Sequence, residues 1–497
     1  MQRTSASYPP PIALDSKSKT PLYRQLYEWF RQAIVDGQMR PGQRVPSTRN
    51  LAEELKVSRI PVLGAYEQLH AEGYLETFVG AGTCVARSIP DDALKPAAGK
   101  VRTAMRRISQ GKAPRRISSR LASMRTLPQP WLSNPGAFRV SLPALDQFPM
   151  AVWSALVSRH SRNHSSQMMV YGDPMGYAPF REAIAEYLGA SRAVRCDPSQ
   201  IMIVAGSQIG LQISARALLD PRDHAWVEEP GYPGAHQALR SAGADLVPVP
   251  IDREGLNVEE GVRRSRNARA VYITPSHQYP VGVTMSATRR MQLLNWAART
   301  GAWIIEDDYD SEYRFGSRPI ASLQGLDTDA RVIYIGTLSK VLFPALRVGY
   351  VVVPKDLIGA FCAEGPDTSS SALLQAALTD FIKEGHFARH IRRMRMLYMD
   401  RRATLIEAIR THMGDSLEVV SAEAGMHLVV LLPRGINDRA VSQKAADIGI
   451  SATPLSTCYL KRSSRGGLIL GFGNTSTEQI QDGVRRLAKV LRDVTAP

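Results

Sequence analysis

Cysteine is scarce. Cys84, Cys196, Cys362 and Cys458 lie far apart in 497 residues, and none belongs to a CxxC pair. That spacing excludes a disulfide framework and a cysteine zinc site, and it fits a reducing cytoplasm. The thiols read as inert, and no metal is expected. Long apolar runs are missing as well: no stretch approaches the ~18 residues of a membrane span. The N-terminal MQRTSASYPPPIALDSK lacks the apolar core of a secretion signal. No repeat recurs at a fixed period.

One absence is local. Between Ala93 and Leu145 there is no Asp or Glu, while Lys95, Lys100, Arg102, Arg106, Arg107, Lys112, Arg115, Arg116, Arg120, Arg125 and Arg139 all fall there. Pro, Ser, Ala and Gly fill most of the rest. Such a segment buries too little apolar surface to offset its ordering entropy. Residues 88–135 therefore read as a basic flexible linker, with VRTAMRRI as a candidate short helix. It separates a module at 15–87 from one at 136–497. The net charge of +16 points to an anionic partner, nucleic acid first. The linker would add salt-sensitive, sequence-blind contacts to phosphates.

What is present begins with a helical module. Leu22, Leu26, Trp29, Phe30 and Ile34 recur at 3–4 spacing, one face of a helix. DGQMRPGQRVPS breaks it. Ser47 caps a second helix with Leu51, Ala52 and Leu55. Ser58 caps a third, with Val62, Ala65, Tyr66 and Leu69 inward and Pro61 in its first turn. GYLETFVGAGTCVA alternates around a glycine turn, as a wing does. Two helices joined by a tight turn and followed by a wing enter a major groove. Arg44, Ser47, Arg49 and Arg59 are suited to grip phosphates, and arginine also reads guanine.

From 136 onward, apolar runs alternate with helical patterns, the mark of an α/β layer. Several runs end in chemistry-bearing residues. IMIVAGSQ places Gly206, Ser207 and Gln208 at a helix start, a phosphate cradle. AWVEEPGYPG carries Tyr232, and AVYITPSHQYPVG ends in His277, Gln278 and Tyr279. AWIIEDDYD ends in carboxylates. RVIYIGTLSK ends in Thr337, Ser339 and Lys340, and Arg347 heads the next strand. Ligands bind off the carboxyl ends of such strands. Each motif alone is weak, since a lysine or acid pair after a strand is usually solvated. Together they supply an amine for a carbonyl, an anion site, a carboxylate for a protonated ring nitrogen, and tyrosines for stacking. Pyridoxal 5′-phosphate uses all of these.

Two resemblances sharpen this. The pattern RPGQRVPSTRNLAEELKVSR…AYEQLHAEGYL resembles the winged-helix domain of GntR-type regulators. It implies that Arg44, Ser47, Arg49, Ser58, Arg59, Gly82 and Thr83 approach operator DNA. Pro61 stands where that family usually has a polar residue, so no base preference transfers. FRVSLPALDQFPMAVW, YGDPMGYAPFREAIAEYL, GSQIGLQ, EEPGYPG, TPSHQYPVG, IEDDYDSEYRF, TLSKVLFPALRVGYVV and HIRRMRMLYMDRR resemble fold-type I aminotransferases, specifically the effector domain of MocR-type regulators. That implies a large α/β/α part plus a small α+β part. It implies Lys340 as the Schiff-base lysine, Asp307 on the pyridine nitrogen and Tyr309 on the phenolic oxygen. Tyr232 would lie against the ring, with Ser207, Gln208, Thr337 and Arg347 on the phosphate. Glu306, Asp308, Asp310 and Glu312 read as local structure.

Two departures bear on function. Tyr279 stands where aminotransferases usually have Asn, which suits a regulator. In GGLILGFGN, Ile469 or Leu470 occupies the place of the arginine that clamps a substrate carboxylate, with Arg462 or Arg465 as the remaining candidates. Without the clamp, an amino acid loses a bidentate contact. The leading expectation is a transcription regulator switched by pyridoxal phosphate or its adduct with an amino compound. The resemblance implies a homodimer on paired half-sites, and the linker is long enough for a domain swap. The missing clamp favours control of vitamin B6 synthesis over control of amine or amino-acid catabolism. The alternatives are an active aminotransferase and a DNA-coating protein with no cofactor.

Overall fold

The structure, a computed structural model, describes residues 12–15, 18–78, 82–88, 136–163, 166–316, 320–365, 369–414, 417–420, 424–461, 463 and 465–495. The chain forms two units, Met1–Arg116 and Ile117–Pro497. Apart from Ser88, the expected linker with its candidate helix lies outside the described residues.

In the head, α1 (Leu22–Val35) buries Leu26, Tyr27, Phe30, Ala33 and Ile34. Trp29, expected on that face, is half-buried and packs against this core, edge-on to Phe30, while Leu22 is half-buried at the start of the helix. Ser47 caps α2 (Thr48–Glu54) by accepting from the Asn50 N–H at 3.2 Å. Ser58 stands at the cap of α3 (Arg59–Ala71), but its side chain makes no cap bond, contrary to expectation. Val62, Ala65, Tyr66 and Leu69 of α3 close the core, with Tyr66 edge-on to Phe30 at 5.3 Å. The wing is the antiparallel pair β1 (Leu75–Phe78) and β2 (Gly82–Val85), with Leu75 opposite Val85.

Among the described residues, the effector unit holds two sheets. The larger has the strand order β3-β10-β9-β8-β7-β4-β5-β6. Its members are β3 (Ile201–Val204), β4 (His224–Glu229), β5 (Asp245–Asp252), β6 (Gly255–Leu256), β7 (Ala270–Ile273), β8 (Trp303–Asp308), β9 (Val332–Thr337) and β10 (Gly349–Val352). Strands β5, β4, β7, β8 and β9 are parallel, while β10 runs antiparallel to both β3 and β9. The smaller sheet is antiparallel, in the order β11-β12-β14-β13: β11 (Glu418–Val420), β12 (His427–Leu431), β13 (Thr453–Pro454) and β14 (Gly467–Gly471). This is the large and small part expected from the sequence.

The large sheet is covered on both faces, so its central strands are apolar throughout. Met202, Val204, Ile333, Ile335 and Val351 pack with Leu211 and Leu218 of α4 (Ser207–Leu218). Ile201, Ile203, Tyr334, Tyr350 and Val352 pack with Phe180 and Phe381 on the other side. Phe138, at the start of the unit, lies in the small part's core with Tyr398, Leu428 and Leu470.

Candidate functional site

Strand register sets the site. Gly349 pairs with Val204 on one side and Thr337 on the other. The antiparallel β10 therefore begins where β3 and β9 end, and Arg347, Thr337 and Gly206 meet there. A cavity of about 160 Å³ opens at these ends. All ten residues expected around a cofactor line it: Gly206, Ser207, Gln208, Tyr232, Tyr279, Asp307, Tyr309, Thr337, Lys340 and Arg347. Ser141, Tyr272, Thr274, Ser339 and Pro344 complete the wall. Tyr272 and Ser141 carried no signal in the sequence, because one looks like a strand core residue and the other like a loop serine.

The acidic run after GAWII resolves through strand alternation. Successive side chains of β8 point to opposite faces. Asp307 faces the cavity and accepts from the Tyr272 hydroxyl at 2.8 Å; its Oδ1 is buried with no hydrogen-bond partner among the described residues. Burial pushes its carboxyl up to about 7, against the pull of the Tyr272 bond and of Lys340. Glu306 and Asp308 face away. Glu306 accepts the N–H groups of Leu323 and Gln324, both at 2.9 Å. Asp308 accepts from Tyr334 at 2.7 Å and from Arg192 Nε at 3.1 Å. Glu312 accepts from Tyr187 at 2.8 Å. None of these three lines the cavity; each is held in the fold by partners from other elements.

Asp310 differs from them in reaching a cavity residue, Tyr309, through His277. His277 Nδ1 lies 2.8 Å from its Oδ1 and 2.9 Å from the Tyr309 hydroxyl. An ionised carboxylate only accepts, so beside it Nδ1 carries the proton. The Tyr309 oxygen then receives Nδ1–H as a second acceptor, and its own proton is free to point into the cavity. Asp310 Oδ2 and His277 Nε2 are buried with no partner among the described residues. A Cβ on Gly425, at φ +81°, would run into His277 Cε1 and stand 2.7 Å from Asp310 Oδ2. Only glycine lets the segment before β12 close over the pair. His427 completes this cluster, 5.2 Å from the His277 ring, donating to the Pro280 carbonyl at 2.9 Å. Burial lowers it to about 4. HQYP and GMHL are too far apart in sequence to reveal this meeting.

At the opposite end, α4 points its N-terminus at the cavity. Its first N–H groups have no partner within the helix. Gly206 sits at φ +93°, and a Cβ there would stand 3.5 Å from the Arg347 guanidinium. Arg347 itself adopts φ +51°, a left-handed conformation uncommon for a side-chain-bearing residue. The Gln208 side chain is already engaged, donating to the Gly234 carbonyl at 3.0 Å, so its contribution to an anion is its backbone N–H. Lys340 Nζ donates to the Ser141 carbonyl at 3.2 Å. Burial lowers its pKa, with Asp310 and Asp307 opposing and Arg347 assisting. A lysine shifted this way holds more of the neutral, nucleophilic amine.

The clamp position is apolar. Leu470 points into the small part's core. Ile469 packs with Val429, Leu455 and Cys458 against Tyr279. Arg465 donates to the Leu432 carbonyl at 2.8 Å and to Glu418 at 2.6 Å, and does not line the cavity. Arg462 lies outside the described residues.

In the head, Arg44, Ser47, Arg49, Ser58, Arg59 and Gly82 are exposed and Thr83 is half-buried. Arg59 Nε donates to Thr48 at 3.0 Å, tying α3 to the start of α2. Arg44 pairs through its backbone with Cys84, and its guanidinium lies within 4.0 Å of a Cβ built on Gly82. The wing residues beyond Phe78 lie outside the described residues up to Gly82.

The head and effector unit together define a DNA-binding regulator with an aminotransferase-like α/β part. Residues 22–85 match the family of bacterial regulatory proteins, gntR family, and residues 143–487 match aminotransferase class I and II. The probable rhizopine catabolism regulatory protein MocR of Rhizobium meliloti is 42% identical over 96% of this chain and 95% of its own length. The HTH-type pyridoxine biosynthesis transcriptional regulator PdxR of Corynebacterium glutamicum is 30% identical over 95% of this chain and 96% of its own. LysN, the α-aminoadipate aminotransferase of Thermus thermophilus, was solved with N-(5′-phosphopyridoxyl)-L-leucine. It superposes with a TM-score of 0.70 at 27% identity, covering 76% of this chain and 98% of LysN. The chain belongs to the MocR-type transcription regulators. Among the described residues, no helix is long and apolar enough to cross a membrane.

Proposed function

We propose that the effector unit binds pyridoxal 5′-phosphate in this cavity, and that occupancy there switches DNA binding by the head. The observation that carries this is the buried, unpartnered Oδ1 of Asp307 in a cavity that Lys340 also lines. A buried carboxylate oxygen with no donor is costly unless a ligand supplies one. A protonated pyridine nitrogen is such a donor, and it would pull Asp307 back below about 7. The helix N-terminus of α4, Ser207, Thr337 and Arg347 would hold the phosphate. Tyr232 would lie against the ring, and Tyr309 would donate to the phenolic oxygen. When bound, the cofactor supplies a carbonyl carbon for amines and a ring that accepts electron density. Lys340 would hold that carbon.

Exposed Met169, Val170 and Tyr171 supply an apolar surface for a second copy of the chain, as a homodimer requires. The favoured signal is the cofactor itself, serving control of vitamin B6 synthesis in the cytoplasm. The apolar surroundings of Ile469 support it, as does the name of the C. glutamicum relative. A second reading, control of amine catabolism, rests on the R. meliloti relative. The test is an absorbance spectrum of the purified protein with added pyridoxal phosphate, before and after borohydride. A visible band that borohydride removes is expected, and K340A abolishes it. No band in the wild type would sink the cofactor reading. A band that candidate amines shift would favour the second reading over the first.

A further inference from the structure

Helix α3 is more apolar than its packing requires. Val62, Ala65, Tyr66 and Leu69 fill the core and are at most 7% exposed. Ile60 is 79% exposed and Leu63 is 41% exposed. They lie three residues apart, so they share one outward face of the helix. Single exposed apolar residues are ordinary on a protein surface. What sets these two apart is their place. Ile60 is the second residue of the helix that follows the turn, the end that meets base edges in this class of DNA-binding unit. Arg59 beside it is tied to Thr48 at the start of α2, where Ser47 and Arg49 are exposed. A cationic and hydroxyl-bearing rim around an apolar tip matches the edge of a major groove: phosphates at the border, methyl groups within.

We propose that Ile60, with Leu63 one turn along, reads thymine methyl groups in the major groove, and so sets a fixed A·T pair in each half-site. The proposal rests on the head binding operator DNA. Asn, Gln and Arg read bases through hydrogen bonds, but a branched aliphatic tip has no polar atom to offer. The one apolar feature in the groove is the C5-methyl of thymine. Pro61 removes a backbone donor next to Ile60, which leaves the apolar tip as the distinguishing group at this end of the helix. The expected discrimination is that of burying one methyl group, about fourfold in affinity per thymine.

The test needs no prior operator. Duplexes are selected from a random library with the full-length protein, and each thymine of the winning site is replaced by deoxyuridine, which removes only the methyl. Wild-type affinity should fall about fourfold at one position per half-site. I60A should bind thymine and deoxyuridine duplexes equally there, while I60V should keep the preference. A winning site without a fixed A·T pair overturns the proposal. So does a wild type indifferent to every deoxyuridine, as expected if a second copy or another protein surface covers Ile60. An I60A variant that still discriminates overturns it as well. Failure to enrich any duplex refutes the DNA-binding reading of the head together with the proposal. Enrichment without methyl discrimination refutes the proposal alone.

Discussion

The head and the effector unit display their functional groups in opposite ways. In the head, Arg44, Arg49, Arg59 and Ile60 are all exposed. In the effector unit, Asp307, Asp310 and His277 are buried, and each keeps one polar atom without a partner. The first arrangement suits a large, flat, hydrated polyanion whose contacts are individually modest and weakened by salt. The second suits a small ligand that supplies a donor to Asp307, the one of the three that lines the cavity. Removing one group should therefore have a large effect in the cavity and a small one on the head.

The sharpest contrast comes from Lys340. K340A should abolish borohydride-stable retention of pyridoxal phosphate, measured as label remaining after denaturing dialysis. Next comes Asp307→Asn, which keeps the shape and removes the charge. It should weaken cofactor binding about tenfold to a hundredfold, the range for one hydrogen bond to a charged group, as read by equilibrium dialysis. A change below about threefold would contradict the role of the unpartnered Oδ1.

Asp307 also predicts a pH effect on the cofactor-free protein. Its folded pKa is raised from 3.8 to about 7. The stability this group contributes is full below 3.8 and is lost as pH rises through about 7. Melting temperature should fall as pH rises from about 4 to about 7, and D307N should flatten that fall. Glu228 and Glu306, also pushed up to about 7 by burial, keep a residual slope. Saturating pyridoxal phosphate should flatten it as well, because a cation beside Asp307 restores its ionised form.

On the head the effects are smaller. Arg59→Ala should weaken DNA binding across sequences and lower the slope of log affinity against log salt by about 1, if it meets one phosphate. If the slope is unchanged and one base loses its preference instead, Arg59 reads a base edge. The fourfold methyl effect of Ile60 is the smallest of the series.

The contrast also explains what the sequence made legible. Strand-end motifs such as GTLSK, EDDYD and GSQ are weak singly, but taken together they name residues that the fold brings to one cavity. The resemblance to fold-type I aminotransferases separated Asp307 from Glu306 and Asp308, and strand alternation explains why the three face different ways. The link from Asp310 to the cavity was not legible, since it runs through His277, which comes from another segment and packs against Gly425. Tyr272 was invisible because a strand tyrosine resembles core until its hydroxyl finds Asp307. In the head, the core positions of α3 were legible from spacing. Ile60 was not, since an apolar residue in a helix reads as packing until its exposure is known. The unmade cap at Ser58 belongs to the same class: cap geometry, not residue type, decides the bond.

The central claim is that occupancy of the cavity changes the grip of the head on DNA. It is tested most directly by measuring affinity for a selected duplex with and without pyridoxal phosphate, for wild type and K340A side by side. The account predicts a cofactor-dependent shift in Kd for the wild type and none for K340A. A wild type that takes up the cofactor, as judged by its borohydride-sensitive band, yet binds DNA with unchanged Kd would contradict it.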